Sequence, residues 1–341
     1  MTDHIDTAEQ AAPHSLTVLG AGAWGTALAQ VAACEGHRVT LQAHEADVVA
    51  SINQTRENTT FLPGVELHAG ITAVTDAAEA VNGADAVLAV TPAQFLRDVL
   101  NTAARGWQKD TPLVICSKGV EQRTGLLMSE VAAEVLPGEP LCALSGPTFA
   151  IEVARGLPTG AVLACHDAGL AEKLAYVLGS RTFRLYHGTD IISAEVGGAV
   201  KNVLAIGCGI VQGKKLGDNA RATLITRGLA EMSRLARAKG GHPETLMGLS
   251  GMGDLVLTCT AMQSRNFSLG VALGEGKPLD AIMAERKTVA EGVFTAAAVT
   301  GLAAREGVEM PICTALDRVL THGADLDDTI QWLLSRPVGE E

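Results

Sequence analysis

The sequence predicts an α/β fold: a doubly wound parallel sheet in the amino-terminal half, followed by an all-helical carboxyl-terminal domain. Three observations carry this expectation. Short apolar, β-rich runs alternate with helix-length segments as far as Tyr186, the pattern of a parallel sheet covered on both faces. The first run leads straight into a glycine-rich turn and an Ala-rich helix. Beyond about Gly188 the apolar period turns helical, with Ile192, Val196, Ala199 and Val203 on one stripe and Ile225, Leu229, Met232 and Ala236 on another.

Taken in order, strands are expected at 16–19, 38–42, 86–90, 113–116, 141–144, 161–165 and 182–186, and helices at 24–35 and 125–135. Asp218 or Asn219 is placed to cap the helix that carries Ile225, and Gly240-Gly241 with Pro243 to end it. The chain divides accordingly into a disordered polar tail (1–14), a dinucleotide-binding half (15–188) and a helical half (189–341). No internal repeat and no Pro-, Gly- or Ser-rich linker interrupts it.

Composition narrows the function. Across 341 residues, 47% are hydrophobic and 19% charged, which suits two packed domains rather than a disordered chain. A formal net charge of −12 and only 3% aromatic residues argue against a nucleic-acid partner. The seven cysteines form no C-x-x-C pair, so neither a disulfide framework nor a metal site is expected, and a reducing compartment fits. The first residues have neither a basic cluster nor an apolar core, and the most apolar later window is broken by Glu195, Lys201 and Asn202. We therefore expect no targeting peptide, no membrane insertion and a cytoplasmic location.

Gly20-Ala21-Gly22-Ala23-Trp24-Gly25 is a G-x-G-x-x-G fingerprint in its required setting, after a strand and at a helix start. Gly20 permits the turn, Gly22 admits a pyrophosphate to the backbone, and Gly25 lets helix and strand pack closely. This marks the half as a Rossmann-type nucleotide-binding domain. The second strand runs into Ala43-His44 instead of the acid that binds a ribose 2′-hydroxyl. With no carboxylate to repel a 2′-phosphate and His44 able to donate to one, NADP(H) is favoured and NAD(H) tolerated.

Five further segments carry chemistry. Lys118 in Cys116-Ser117-Lys118-Gly119 follows a strand, on the side of the sheet where ligands bind. Ser145-Gly146-Pro147-Thr148-Phe149-Ala150 follows another and offers small residues with N–H and hydroxyl donors. In Glu195-Val196-Gly197-Gly198-Ala199-Val200-Lys201-Asn202, two glycines inside a helix each cost about 1 kcal/mol, which is recovered if something packs on their bare face, with Lys201 and Asn202 at its edge. A lysine in so apolar a helix has its pKa lowered by desolvation, and further by a cation such as Lys118, which suits proton exchange with a carbonyl oxygen. Asp254 either caps a helix or hydrogen-bonds a substrate hydroxyl and orients Lys201. Ser264-Arg265-Asn266 reads as a capped helix start able to receive a phosphate.

In this order and spacing, these segments resemble the bacterial, soluble NAD(P)-dependent sn-glycerol-3-phosphate dehydrogenases, a likeness also carried by Phe61-Leu62-Pro63-Gly64, Asn219-Ala220-Arg221 and Gly253-Asp254-Leu255. The resemblance implies a homodimeric oxidoreductase that interconverts dihydroxyacetone phosphate and sn-glycerol 3-phosphate and feeds glycerophospholipid synthesis. It implies Lys201 as the proton acceptor and donor, with Lys118 and Asp254 beside it as catalytic partners. It implies a substrate site of Lys118, Gly146, Thr148, Asn202, Asp254, Ser264, Arg265 and Asn266. Cofactor contacts would be Gly20, Gly22, Ala23, Trp24, Gly25, His44, Lys118, Ala150, Arg265, Val289 and Glu291. The departure from the pattern is Ala43-His44, where many members carry Arg for the 2′-phosphate. Two other readings of the same residues are a β-hydroxyacid dehydrogenase and a non-catalytic NAD(P)H sensor.

Overall fold

The computed structural model describes residues 13–285 and 290–337. Val289 and most of the expected tail fall outside the described residues. Eight strands form one sheet: β1 (Ser15–Leu19), β2 (Arg38–Gln42), β3 (Ile71–Val74), β4 (Ala86–Ala89), β5 (Leu113–Ile115), β6 (Leu141–Ser145), β7 (Thr159–Cys165) and β8 (Phe183–Gly188). Their order is β3-β2-β1-β4-β5-β6-β7-β8. The order therefore reverses between β1 and β4, and ligands in open α/β sheets bind at such a reversal, beyond the carboxyl ends of the strands. Every residue of β4 and β5 is buried, as central parallel strands require.

Two features depart from expectation. The edge strand β3 was not expected: its residues alternate between buried and exposed positions and lack the continuous burial of the central strands. The sheet is also not wholly parallel, because β7 runs antiparallel to β6, with β8 parallel to β7. A parallel return needs a helix that carries the chain back along the strand. The intervening helix Ala150–Ala154 has 5 residues and spans only about 7.5 Å, whereas the seven residues of β7 span about 23 Å.

The helices of this half are α1 (Ala23–Cys34), α2 (Ala46–Thr55), α3 (Ala77–Val81), α4 (Leu96–Ala103), α5 (Met128–Val135), α6 (Ala150–Ala154) and α7 (Ala168–Leu178). One core joins α1, α6 and α7 to one face of the sheet, and a second joins α3, α4 and α5 to the other. Helix α5 starts three residues later than expected, since Gly125 takes a left-handed φ of 69° and Val120 bridges to Leu127 first.

The remaining helices are α8 (Ile191–Gly213), α9 (Asp218–Ala238), α10 (Asp254–Thr260), α11 (Arg265–Gly274), α12 (Leu279–Ala284), α13 (Glu291–Arg305), α14 (Pro311–Leu320) and α15 (Leu326–Leu334). Helix α8 is the axis of their core and is buried on nearly every side, not along one stripe. It is long and apolar enough to cross a membrane, yet its apolar window lies wholly inside the fold, as for a central core helix. Its glycines explain how. A Cβ on Gly270 would sit 3.0 Å from the Gly209 Cα, and one on Gly274 would lie 2.6 Å from the Ile210 carbonyl oxygen, so α8 and α11 touch backbone to backbone. Helix α9 is not capped by Asp218 or Asn219. Gly217 (φ 93°) holds the N-cap, and Asp218 sits in the first turn, where it pairs with Arg221 at 2.6 Å.

Candidate active site

The glycine turn lies at the carboxyl end of β1, beside β4. Gly20 has a left-handed φ of 107°, and a Cβ there would stand 3.0 Å from the Val90 carbonyl oxygen. A Cβ on Gly25 would overlap the Gly20 carbonyl, whereas one on Gly22 would meet nothing within 4 Å. Gly22 is the N-cap of α1, which has no capping side chain and no acid in its first turn. Its first N–H groups and positive dipole end are therefore left for an anion. Two buried polar atoms nearby, Thr91 Oγ1 and Trp24 Nε1, have no partner among the described residues. Open backbone at Gly22, a bare helix start and orphaned donors together fit a dinucleotide. Ala23, Trp24 and Ala150 pack on the same core face, and Trp24 meets Phe183 edge-on at 6.0 Å. His44 is exposed after β2, next to exposed Glu45 and Asp47.

Three elements deliver the charged centre. The end of β5 presents Lys118 and is tied to the end of β4 by Ser117 Oγ, which donates to the Thr91 carbonyl at 2.6 Å. Helix α8 presents Lys201, and the start of α10 presents Asp254. The Asp254 carboxylate accepts from both ammonium groups, Oδ1 from Lys201 Nζ at 2.5 Å and Oδ2 from Lys118 Nζ at 2.7 Å. Lys201 also donates to Thr258 Oγ1 at 3.2 Å, and Lys118 to the Gly146 carbonyl at 3.3 Å. Thr148 Oγ1 donates to that same carbonyl at 3.2 Å. Asp254 does not cap α10, whose N-cap is Gly253, and its carboxylate is paired with Lys201 and Lys118.

The bare face of α8 is filled as the glycine pair requires. A Cβ on Gly198 would lie 3.2 Å from Lys118 Cγ and 3.3 Å from Ser145 Oγ, and one on Gly197 would lie 2.5 Å from the Ser250 carbonyl oxygen. Close packing leaves the ammonium pair little exposed, the Lys201 side chain 10% and the Lys118 side chain 14%. Asp254 is 1% exposed and Lys201 8%. Burial lowers the Lys201 pKa to about 8, with Lys118 pushing the same way and Asp254 opposing both. Burial likewise pushes the Asp254 carboxyl up, but the two cations outweigh it and hold it below the usual carboxylate range.

The other end of the site is built on α11. Ser264 caps this helix, its Oγ accepting from Phe267 N at 3.2 Å. Arg265 is exposed at the first helical position. Buried Asn266 donates to Asn202 Oδ1 at 3.0 Å, and its own Oδ1 accepts from Gly292 N at 3.0 Å, which ties α8, α11 and α13 together. Glu291, at the start of α13, has its carboxyl raised by burial, against the pull of Arg265, Lys201 and Lys118. The structure thus gathers Lys118 and Lys201 on the Asp254 carboxylate, brings Lys118 and Thr148 to the Gly146 carbonyl, and joins Asn202 to Asn266 on the adjoining helices. His44 stands apart on the rim beyond β2. Thr258 escaped the sequence reading, although its spacing from Asp254 on a helix, i to i+4, was available as a signal.

Two family profiles match the chain. The one described as "NAD-dependent glycerol-3-phosphate dehydrogenase N-terminus" covers residues 15–171, and the one described as "NAD-dependent glycerol-3-phosphate dehydrogenase C-terminus" covers 190–331. The glycerol-3-phosphate dehydrogenase [NAD(P)+] of Rhodospirillum rubrum is 60% identical over 326 residues, 96% of this chain and 93% of that protein. The protein of the same name from Parvibaculum lavamentivorans is 56% identical, with 96% and 98% covered. Among solved structures, a glycerol-3-phosphate dehydrogenase from Coxiella burnetii superposes with a TM-score of 0.91 at 39% identity, covering 95% of this chain and 99% of that one.

Proposed function

This chain belongs to the NAD-dependent glycerol-3-phosphate dehydrogenase family, and from that premise we propose that it interconverts dihydroxyacetone phosphate and sn-glycerol 3-phosphate with NAD(P)H, supplying the latter for glycerophospholipid synthesis. The observation that carries the mechanism is the buried Lys118–Asp254–Lys201 bridge between the sheet end and the central helix.

The glycine turn, the start of α1 and Ala150 would hold the cofactor, with Arg265 and Glu291 facing it from the helical half. Bound there, the reduced nicotinamide supplies the hydride that converts the C2 carbonyl to an alcohol. Lys201 provides the matching proton to the carbonyl oxygen and takes it back in the reverse reaction. A pKa near 8 lets it hold either protonation state close to neutral pH. Lys118 adds a second positive charge where the oxygen becomes negative, and Asp254 fixes both ammonium groups before the reaction starts, so little reorganisation remains. Ser264, Arg265 and Asn266 receive the substrate phosphate at the start of α11, where backbone N–H groups and a guanidinium converge. Gly146 and Thr148 border the three-carbon chain. Clamping both ends presents one face of the ketone and accounts for a single enantiomer.

The finer assignments belong to the same proposal. NADP(H) is preferred and NAD(H) accepted, because Ala43-His44 follows β2 and places no acid where the ribose hydroxyl would be bound. The enzyme is a cytoplasmic homodimer, with its nucleotide domain at 15–188 and its substrate domain at 189–341. The test follows loss of reduced-nicotinamide absorbance with each cofactor against a panel of phosphorylated and carboxylated ketones. Turnover restricted to dihydroxyacetone phosphate is expected. No turnover with either cofactor supports a sensor, and turnover of carboxylated ketones alone supports a β-hydroxyacid dehydrogenase. A preference of about a hundredfold for NADH, or about 2.8 kcal/mol, overturns the NADP(H) assignment.

A further inference from the structure

The Phe61-Leu62-Pro63-Gly64 segment has no place in the mechanism above, and the residue that opens its turn explains what the segment does. Asn58 is 0% exposed and lies under the glycine turn. Its Nδ2 donates to the Ala21 carbonyl at 2.8 Å and to Thr26 Oγ1 at 2.8 Å. Its Oδ1 accepts from Phe61 N at 3.0 Å, and its backbone carbonyl from Leu62 N at 2.9 Å. Thr26 Oγ1 itself donates to the Ala21 carbonyl at 3.3 Å. All hydrogen-bonding groups of the amide are used, and the loop returning after α2 serves as its mount.

We infer that Asn58 is a positioning residue for the cofactor site: by pinning the Ala21 carbonyl inward it aims the Gly22 N–H outward into the pyrophosphate cradle. The reason is the planarity of the peptide unit. In a trans peptide the carbonyl of one residue and the N–H of the next point in opposite directions. With the Ala21 oxygen held toward Asn58, the Gly22 N–H faces the open side, where even an added Cβ on Gly22 would meet nothing within 4 Å. The need for a clamp follows from the glycines. Gly20 and Gly22 supply close approach and a left-handed turn, but they also leave the intervening peptide free to rotate, so a side chain outside the fingerprint must choose the orientation. Thr26, fully buried one turn into α1, completes the clamp.

This inference rests on the functional reading only in requiring that the site binds a nicotinamide dinucleotide. The test is direct titration of the full chain with NADPH and with NADH, read by nicotinamide fluorescence, alongside steady-state kinetics and thermal melts. Asn58→Asp retains the acceptor for Phe61 N and the loop it supports but loses both donated bonds. Asn58→Ala loses all three side-chain bonds. Both are expected to weaken cofactor binding about 10- to 100-fold, the range for leaving a buried acceptor unpaired, while kcat at saturating cofactor and the substrate KM stay within about threefold, the residues of chemistry being untouched. Thr26→Val, isosteric and buried, should weaken binding less, by about threefold. Cofactor affinity unchanged in a folded Asn58→Asp or Thr26→Val protein overturns the inference. So does a uniform loss in which kcat and both KM values decline with the melting temperature. A parent protein that binds neither dinucleotide would instead overturn the functional reading itself.

Discussion

Replacing Asp254 by Asn tests the electrostatic centre most severely. The substitution keeps the shape and removes the single negative charge that two ammonium groups share at 2.5 and 2.7 Å. With the carboxylate 1% exposed and the lysine side chains 10% and 14% exposed, little water is available to replace it. Removing one partner of a buried pair costs about 3–5 kcal/mol, which for a chain of this size lowers the melting temperature by roughly 5–10 °C. The sharper readout is pH. Burial and Lys118 lower the Lys201 pKa to about 8 while Asp254 resists them, so removing Asp254 carries it below 8. Ketone reduction needs the protonated amine, so the rate of the parent falls as pH rises through about 8. In Asp254→Asn that fall begins at lower pH, and the reverse reaction gains its base earlier. The assay is kcat in both directions from mildly acidic to mildly alkaline pH at saturating cofactor. A basic limb that stays in place or moves upward would refute the account. Both groups make stability rise with pH, over different ranges, because the fold lowers both pKa values. The Asp254 contribution is present above its unfolded pKa and lost as acid protonates it. The burial penalty of Lys201 is felt below about pH 8 and relieved as pH rises toward its unfolded value.

Four other outcomes are expected. Lys201→Ala lowers kcat by about 10²–10⁴-fold with cofactor affinity unchanged, and turnover within tenfold of the parent would remove Lys201 as the acid. Arg265→Ala raises the KM for the phosphorylated substrate about 10- to 100-fold, as for loss of a charge-assisted bond, and an unchanged KM takes Arg265 out of the phosphate site. Gly198→Ala gains about 1 kcal/mol of helix propensity but presses a methyl on Lys118 Cγ at 3.2 Å. Activity should therefore drop without loss of melting temperature, and full activity would show that this spacing is not needed. Gly270→Val, facing the Ile206 carbonyl across the α8–α11 contact, should destabilise by about 1–3 kcal/mol in urea denaturation, and a native midpoint would mean that the helices can part at no cost.

Central strands such as β4 and β5 were legible because every residue is buried and the run of apolar residues is itself the signal. β3 escaped because at the sheet edge its residues alternate between buried and exposed, and the reversal at β7 because strand direction is set by what the connecting helix can span. The helical stripe on α8 understated its burial. A helix packed on all sides has no polar face for a period to reveal, and only the glycine contacts with α11 show how closely its neighbours approach. The glycine fingerprint was readable in place, because turn, strand and helix are consecutive, whereas the Asn58 clamp lies more than thirty residues further on.

By itself, then, the sequence determined the local parts: a nucleotide turn, a lysine on an apolar helix, a capped helix start. Only the tertiary structure decided that Lys118, 136 residues before Asp254, and Lys201, 53 residues before it, share one carboxylate. Backbone geometry depends on neighbours along the chain. Charge coupling depends on separation in space and on the exclusion of water, and both come into being only when the helical half closes over the ends of the strands.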